Sequence, residues 1–454
     1  MGRQSPCLPN VQHVPSRTSK AVRVAVLADS DTRWKWGALT ARRIAPDDRD
    51  IELSGFLLRG RATPTARQLA EVGAEADALR EMTGTEFLNV LREETYDVVV
   101  LALVGGAVQA MLHGISALGL PDRPALVTGY VGVVYEKLSD GLLLRHGADI
   151  VLANSRHDAQ RFRAVYEGVG ADSGSVTEAA LPFLGGARYT PEEGRDTVVF
   201  AAQPSVPLTR ADRAYLLRRL IEHARLHPRR EVLLKLRSRV GEQTTHVEEY
   251  PYQRLAEKLP GGLPPNFRLV YGNMGEVLDG TDLLVTVSST AALESLHRRI
   301  PTAILTDLGI REPLGNHHFI GSGCLASWDQ LDGGQRPKAD PVWADRQGVA
   351  ADGGYASAFD AARERVAKLL ADGGLPPITP YYTATTAPGY LPGLLARYHL
   401  APDGTPLTAS NRTAQAGTTG VRRVVRDTVR AAARGAYRHG VQRVAPVIRR
   451  MGEL

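Results

Sequence analysis

The chain has 454 residues, 43% hydrophobic and 23% charged, which suits a globular protein with more than one core and excludes a wholly disordered, collagen-like or disulfide-dense molecule. Its net charge of +6 is local: residues 421–454 hold nine arginines against Asp427 and Glu453, a net +7, so the remaining residues together carry −1. The two cysteines, Cys7 and Cys324, have no Cys or His partners at ligand spacing, which argues against a zinc ribbon or a disulfide framework and fits a reducing cytoplasm.

Residues 1–20 carry Arg3, Arg17 and Lys20 without a continuous apolar run, and are expected to form a disordered tail rather than a secretory signal. From residue 22 short apolar runs alternate with helical patterns, the signature of a parallel sheet covered by helices. Strands are expected at 22–28, 51–58, 96–103, 124–132, 149–155 and 177–184, in an N-terminal Rossmann-like domain over 21–187. Val98 to Pro121 contains no Asp, Glu, Lys or Arg and is long enough to cross a bilayer. The β-branched start, Gly105-Gly106, and then Gln109 and His113 at helical spacing predict strand, turn and helix instead.

The glycine-rich segment 185–196 leads into a second Rossmann-like domain over 188–400. Its strands are expected at 197–204, 231–238, 267–273, 282–289 and 301–308, with helices near 209–226, 250–259, 290–299 and 357–371. The fold class is α/β, two tandem doubly wound domains facing a cleft. A Pro/Gly/Ser/Thr-rich linker follows at 401–420. Over 421–454 a basic amphipathic helix is expected, with Val421, Val424, Val425, Thr428, Val429 and Ala432 opposite Arg422, Arg423, Arg426, Arg430 and Arg434. Such a helix suits an anionic membrane surface, or else packs as a solvated terminal helix. No aromatic interleaving accompanies the arginines, so nucleic acid is not an expected partner.

Ligands of doubly wound sheets bind beyond the carboxyl ends of the strands, so the chemistry is sought in post-strand loops. VTVSSTAALES (285–295) places Ser288, Ser289 and Thr290 before a helix carrying Glu294. Hydroxyls and free N–H groups at a helix start favour phosphate, although capping alone explains them too. Glu294 would accept ribose or sugar hydroxyls. In KLRSR, Lys235, Arg237 and Arg239 alternate, and with a strand's period of two they would enter the cleft together. His246 follows in a loop, as a hydrogen-bond donor to a phosphoryl oxygen or as a general acid. LADSDTRWKW (27–36) offers Asp29 and Asp31 as bases for an acceptor hydroxyl. Arg33, Trp34 and Trp36 follow as acceptor contacts or as a helix staple. An Asp-x-Asp metal site is the less favoured reading of this loop. Weaker signals are Tyr130, Asn154, Gln203 and His317. No G-x-G-x-x-G, P-loop or G-x-S-x-G motif is present, so dehydrogenase, NTPase and hydrolase readings lose support.

Two Rossmann-like domains, a basic motif after one second-domain strand and VSSTAALES after another resemble the GT-B glycosyltransferases. The likeness is to bacterial capsule sialic-acid or KDO transferases, and to an uncharacterised actinobacterial family of candidate glycosyltransferases. KLRSR stands where a His-Pro pair would be expected. The resemblance implies a metal-independent, cofactor-free inverting transfer from a nucleotide-sugar, CMP-linked by preference, to a cell-envelope glycan or lipid-linked acceptor. Asp31 or Asp29 would be the base, with His246 assisting. Lys235, Arg237, Arg239, Ser288, Ser289, Thr290, Glu294, Gln203 and His317 would bind donor, and Arg33, Trp34, Tyr130 and Asn154 acceptor. The protein would be cytoplasmic, at the inner membrane face. A nucleotide-sugar 2-epimerase and a non-catalytic binding protein are the alternatives.

Overall fold

Valine- and leucine-rich runs, buried on both faces, build two parallel sheets in a computed structural model that describes residues 21–46, 50–133, 138–242, 248–349 and 354–407. The N-terminal tail 1–20, His246, the linker from 408 onward and the basic segment 421–454 lie outside the described residues. The first sheet contains β1 (Val22–Ala28), β2 (Ile51–Leu58), β3 (Ala78–Met82), β4 (Val98–Ala102), β5 (Ala125–Gly129), β6 (Ile150–Ala153) and β7 (Val176–Glu178), in the order β3-β2-β1-β4-β5-β6-β7. The second contains β8 (Thr197–Ala201), β9 (Glu231–Lys235), β10 (Phe267–Val270), β11 (Leu283–Thr286), β12 (Thr302–Leu305) and β13 (Leu325–Ala326), in the order β10-β9-β8-β11-β12-β13. Every strand pair is parallel.

In both sheets the strand order reverses beside the first strand, between β1 and β4 and between β8 and β11. Such switch points leave a crevice where the chain departs to opposite faces, and ligands of this architecture lie there. The uncharged stretch from Val98 divides into β4 and the helix Gly105–Leu118. Among the described residues no helix is long and apolar enough to cross a membrane.

Two edge strands depart from the sequence pattern. β3 exposes four of its five residues, and β13 has two residues, so neither carries an apolar run. The larger departure is at the carboxyl end. Helix Asp360–Ala371 is the expected 357–371 helix, but Phe359, Ala362 and Val366 pack into the core of β1, β2 and β4 beside Trp34 and Trp36. Ile378, Leu391, Leu394, Leu395 and Leu400 join the core on the other face of the first sheet. The stretch 188–400, expected as one domain, is therefore divided between both sheets. Residues 401–407, expected as linker, also lie against the first domain: Leu400 bridges Pro406, and Gly404 sits so close to the His113 carbonyl that a Cβ would come within 2.5 Å.

Candidate functional site

The loops after the strands of one sheet meet those of the other in sequence along the cleft. At one end, residues after β1 meet residues after β9. In the middle, Val133 after β5 donates its backbone N–H to Thr290 after β11 (3.4 Å). At the other end, His157 after β6 faces His318 after β12, ring centroids 6.2 Å apart.

At the first end, Ser30 caps helix Asp31–Ile44 by accepting from the Arg33 N–H. This leaves Asp31 in the first helical position, where a carboxylate is favoured by the exposed N–H groups. Asp31 and Thr32 both accept from the Arg237 guanidinium of the second sheet. The candidate base and the candidate phosphate ligand thus form one ion pair across the cleft. Asp29 is placed otherwise. One oxygen pairs with Arg33 (2.8 Å) and the other accepts from the Val104 N–H across the β1/β4 switch point (2.9 Å). Both of its oxygens hold the loops of one domain.

Arg237 and its two neighbours do not point together, because β9 stops at Lys235 and the two-residue alternation stops with it. Lys235 is buried and its ammonium donates to the Leu236 carbonyl (2.8 Å). Burial brings its pKa down to about 8, opposed by Glu71 and Glu294 and assisted by Arg237 and Arg67. Arg239 is exposed, its guanidinium over the Tyr271 ring at 5.7 Å. Nearby, Arg67 of the first domain pairs with Glu242 of the second.

Ser288 is not available as a ligand. It is buried, its hydroxyl donates to the Leu314 carbonyl, and its N–H donates to Gln203 Oε1 (3.0 Å). Gln203 spans the β8/β11 switch point in this way and is likewise committed. Ser289 and Thr290 remain: the Ser289 hydroxyl accepts from the Ala291 N–H (3.2 Å) and Thr290 accepts from Val133, leaving their hydrogens for a ligand. Helix Ala291–His297 carries no side-chain cap from Thr290. Glu294, one turn in, is buried with Lys35 of the first domain 4.0 Å away. Burial raises its pKa, opposed by Lys35, Arg298 and Lys235.

The expected acceptor contacts are mostly structural. Trp34 is in the core, donating from Nε1 to the Ala74 carbonyl (3.1 Å), and lies where a Cβ on Gly55 would fall. Asn154 is buried and holds the β5 loop through the Tyr130 carbonyl (2.6 Å). Arg33 is paired with Asp29. Tyr130 is half-buried, with the Arg145 guanidinium 4.1 Å over its ring. His317 lies in the turn after β12, at the His157 end of the cleft.

Sequence reasoning missed Lys35, Arg67, Arg145 and His157. Arg145 is buried and donates to the carbonyls of Gly129, Gly141 and Leu103, fixing the ends of β4 and β5. Lys35 and Arg67 are surface-type positions on helices, and only the opposing domain shows their role. His157 stands two residues beyond the Asn154-Ser155 signal, in the first turn of the helix Arg156–Gly168.

Residues 24–369 match the family model described as "Putative glycosyltransferase (DUF6716)". The chain belongs to this glycosyltransferase family. No curated protein sequence matches it significantly. Among solved structures, it is similar to the "putative UDP-N-acetylglucosamine 2-epimerase" of Listeria monocytogenes at 13% identity and a TM-score of 0.51, covering 78% of this chain and 98% of that one. The S. aureus MnaA–UDP complex is similar at 11% identity and a TM-score of 0.50, covering 76% and 95%. The glycotransferase of kitacinnamycin is similar at 15% identity, covering 78% and 96%, with a TM-score of 0.41. The first two likenesses show the two-domain fold of this glycosyltransferase family member.

Proposed function

We propose that the chain moves a glycosyl group from a nucleotide-sugar to a hydroxyl acceptor with inversion and without a metal, using Asp31 as the base. The observation that carries this reading is the Arg237–Asp31 pair, which brings a phosphate ligand and a base to one point between the sheets. Arg237, Lys235 and the hydroxyls of Ser289 and Thr290 bind the donor phosphate. That phosphate competes for Arg237 and releases the Asp31 carboxylate.

Asp31 then takes the acceptor hydroxyl proton as the acceptor oxygen attacks the anomeric carbon opposite the leaving group. The bond from that carbon to the phosphate oxygen breaks, and its electron pair leaves with the nucleotide. Arg237 and protonated Lys235 stabilise the developing charge, the part a metal plays elsewhere. Among the described residues, the group with metal-ligand proximity is His223, His227 and Asp332. It lies at the carboxyl end of helix Arg210–Leu226, opposite the cleft, and Arg230 already donates to His223 Nε2 (2.9 Å).

The capsule-transferase resemblance supports a CMP-sugar, while the S. aureus neighbour holds UDP, so both nucleotides are candidates. The nine arginines of 421–454 support a cell-envelope acceptor, lipid-linked or glycan, met at an anionic membrane surface on the cytoplasmic side. A 2-epimerase reading is favoured by the Listeria likeness. Incubation with CMP-, UDP- and GDP-sugars, with and without a polyprenyl-phosphate-linked acceptor, separates the two. Transfer releases nucleotide only with acceptor. A sugar isomer still joined to its nucleotide would establish the epimerase, and no turnover under either condition would reject both.

A further inference from the structure

At the end of the cleft opposite Arg237, the two domains line a half-open cavity of ≈ 490 Å³, within the range of small-molecule sites. His157 and Arg161 enter it from the helix after β6, His318 from the turn after β12, and Trp343 and Arg346 from the helix Pro341–Arg346. We propose that this cavity binds a phosphorylated sugar, at a site separate from the Asp31–Arg237 pair.

Charge is the first reason. Arg346 and Arg161, the latter also paired with Asp158 (3.5 Å), line the cavity with the imidazoles, and its one lining carboxylate, Asp340, already accepts from the Trp343 N–H (2.7 Å) as a helix cap. Burial and the charges of Arg161 and Arg346 hold the His157 imidazole below its ordinary pKa, and burial with His157 and Arg161 pushes His318 down to about 3. The imidazoles are therefore neutral N–H donors beside two cationic guanidiniums, a set that an anionic group satisfies through charge-assisted hydrogen bonds. The second reason is an orphan: His318 Nε2 is buried without a hydrogen-bond partner, and such a group costs stability unless a ligand or water satisfies it.

The third reason is size and surface. A phosphate alone would leave most of the cavity empty. The half-buried Trp343 and the exposed Ile320 and Val342 form an apolar wall on which the face of a sugar ring stacks. A metal ion fits less well, because no three ligand atoms here come within coordinating reach of one another among the described residues. The lining comes from both domains, so an occupant holds them in one relative position.

The inference does not depend on the transfer reading, since its readout is binding. Calorimetric titration of the full chain with glucose 1-phosphate, glucose and inorganic phosphate tests it. Glucose 1-phosphate is expected to bind saturably and at least about tenfold more tightly than either part. Arg346→Glu, an exposed and fold-safe position, and His318→Ala, with folding checked by circular dichroism, should each weaken it about tenfold or more, and Arg237→Ala should leave it unchanged. Absence of saturation by about 10 mM, inorganic phosphate binding as tightly as the sugar phosphate, or sensitivity to Arg237→Ala without sensitivity to Arg346→Glu would each overturn the proposal.

Discussion

Asp31 and Arg237 neutralise each other across the cleft, and this makes their substitutions separable. Asp31→Asn removes the competitor for Arg237, so nucleotide affinity should hold or improve while turnover falls by about 10²–10⁴. A parallel loss of nucleotide affinity would show that Asp31 organises the donor site instead. Lys235 adds a pH signature. With its pKa near 8, the free protein loses this cation as pH rises through that value. Bound phosphate favours the protonated ammonium, so donor affinity should hold below about pH 8 and weaken as pH rises above it. Lys235→Met should flatten that profile in a binding titration. At this scale the sequence shows which residue types can do the chemistry and misses which are consumed by packing. Ser288 and Ser289 are adjacent and alike, yet one donates to the Leu314 carbonyl from 26 residues away. Trp34 and Asn154 are withdrawn in the same way by burial, a non-local property.

Strand ends are legible because a buried parallel strand must be continuously apolar, and the runs of β1 and β2 coincide with the expected spans. Lys235 shows where this stops helping: the apolar run fixes where β9 begins, but polar residues beyond it follow loop geometry rather than strand alternation. Two packing predictions belong to these elements. Trp34→Ala should cost about 3–5 kcal/mol of stability, read as a lower denaturant midpoint, because the ring is in the core of the first sheet. At Gly132, a Cβ would come within 2.4 Å of Thr290 Oγ1, so Gly132→Ala should push the β5 loop from the second domain. Nucleotide affinity should then drop while the unfolding midpoint changes little. An unaltered affinity would show that the Val133–Thr290 contact does not shape the donor site.

For the whole molecule, two tandem doubly wound sheets are legible from the repeated strand–helix alternation. The return of residues 359–400 to the first sheet is not, since an amphipathic helix carries no mark of which sheet it covers. The return sets where the chain can be cut. Leu400 and the segment to 407 lie against the first domain, so removal of 408–454 should leave the body folded and nucleotide-competent. It also removes ten arginines, nine of them in 421–454, so adsorption to anionic vesicles should be lost. In the full chain that adsorption should fade as the Debye length shrinks from about 10 Å at 0.1 M to about 3 Å at 1 M salt. Equal co-sedimentation of both forms would reject the membrane assignment.

The central claim is that the β9 loop and the Ser289–Thr290 turn hold a nucleotide-sugar's phosphate against Asp31. Calorimetric titration of wild type and Arg237→Ala with CMP and UDP tests it most directly. The prediction is saturable binding of at least one nucleotide by wild type and a roughly ten- to hundredfold loss in the variant, the range of a charge-assisted contact of about 1.5–3 kcal/mol. Equal affinity in the two proteins, or no nucleotide binding by wild type, would contradict it.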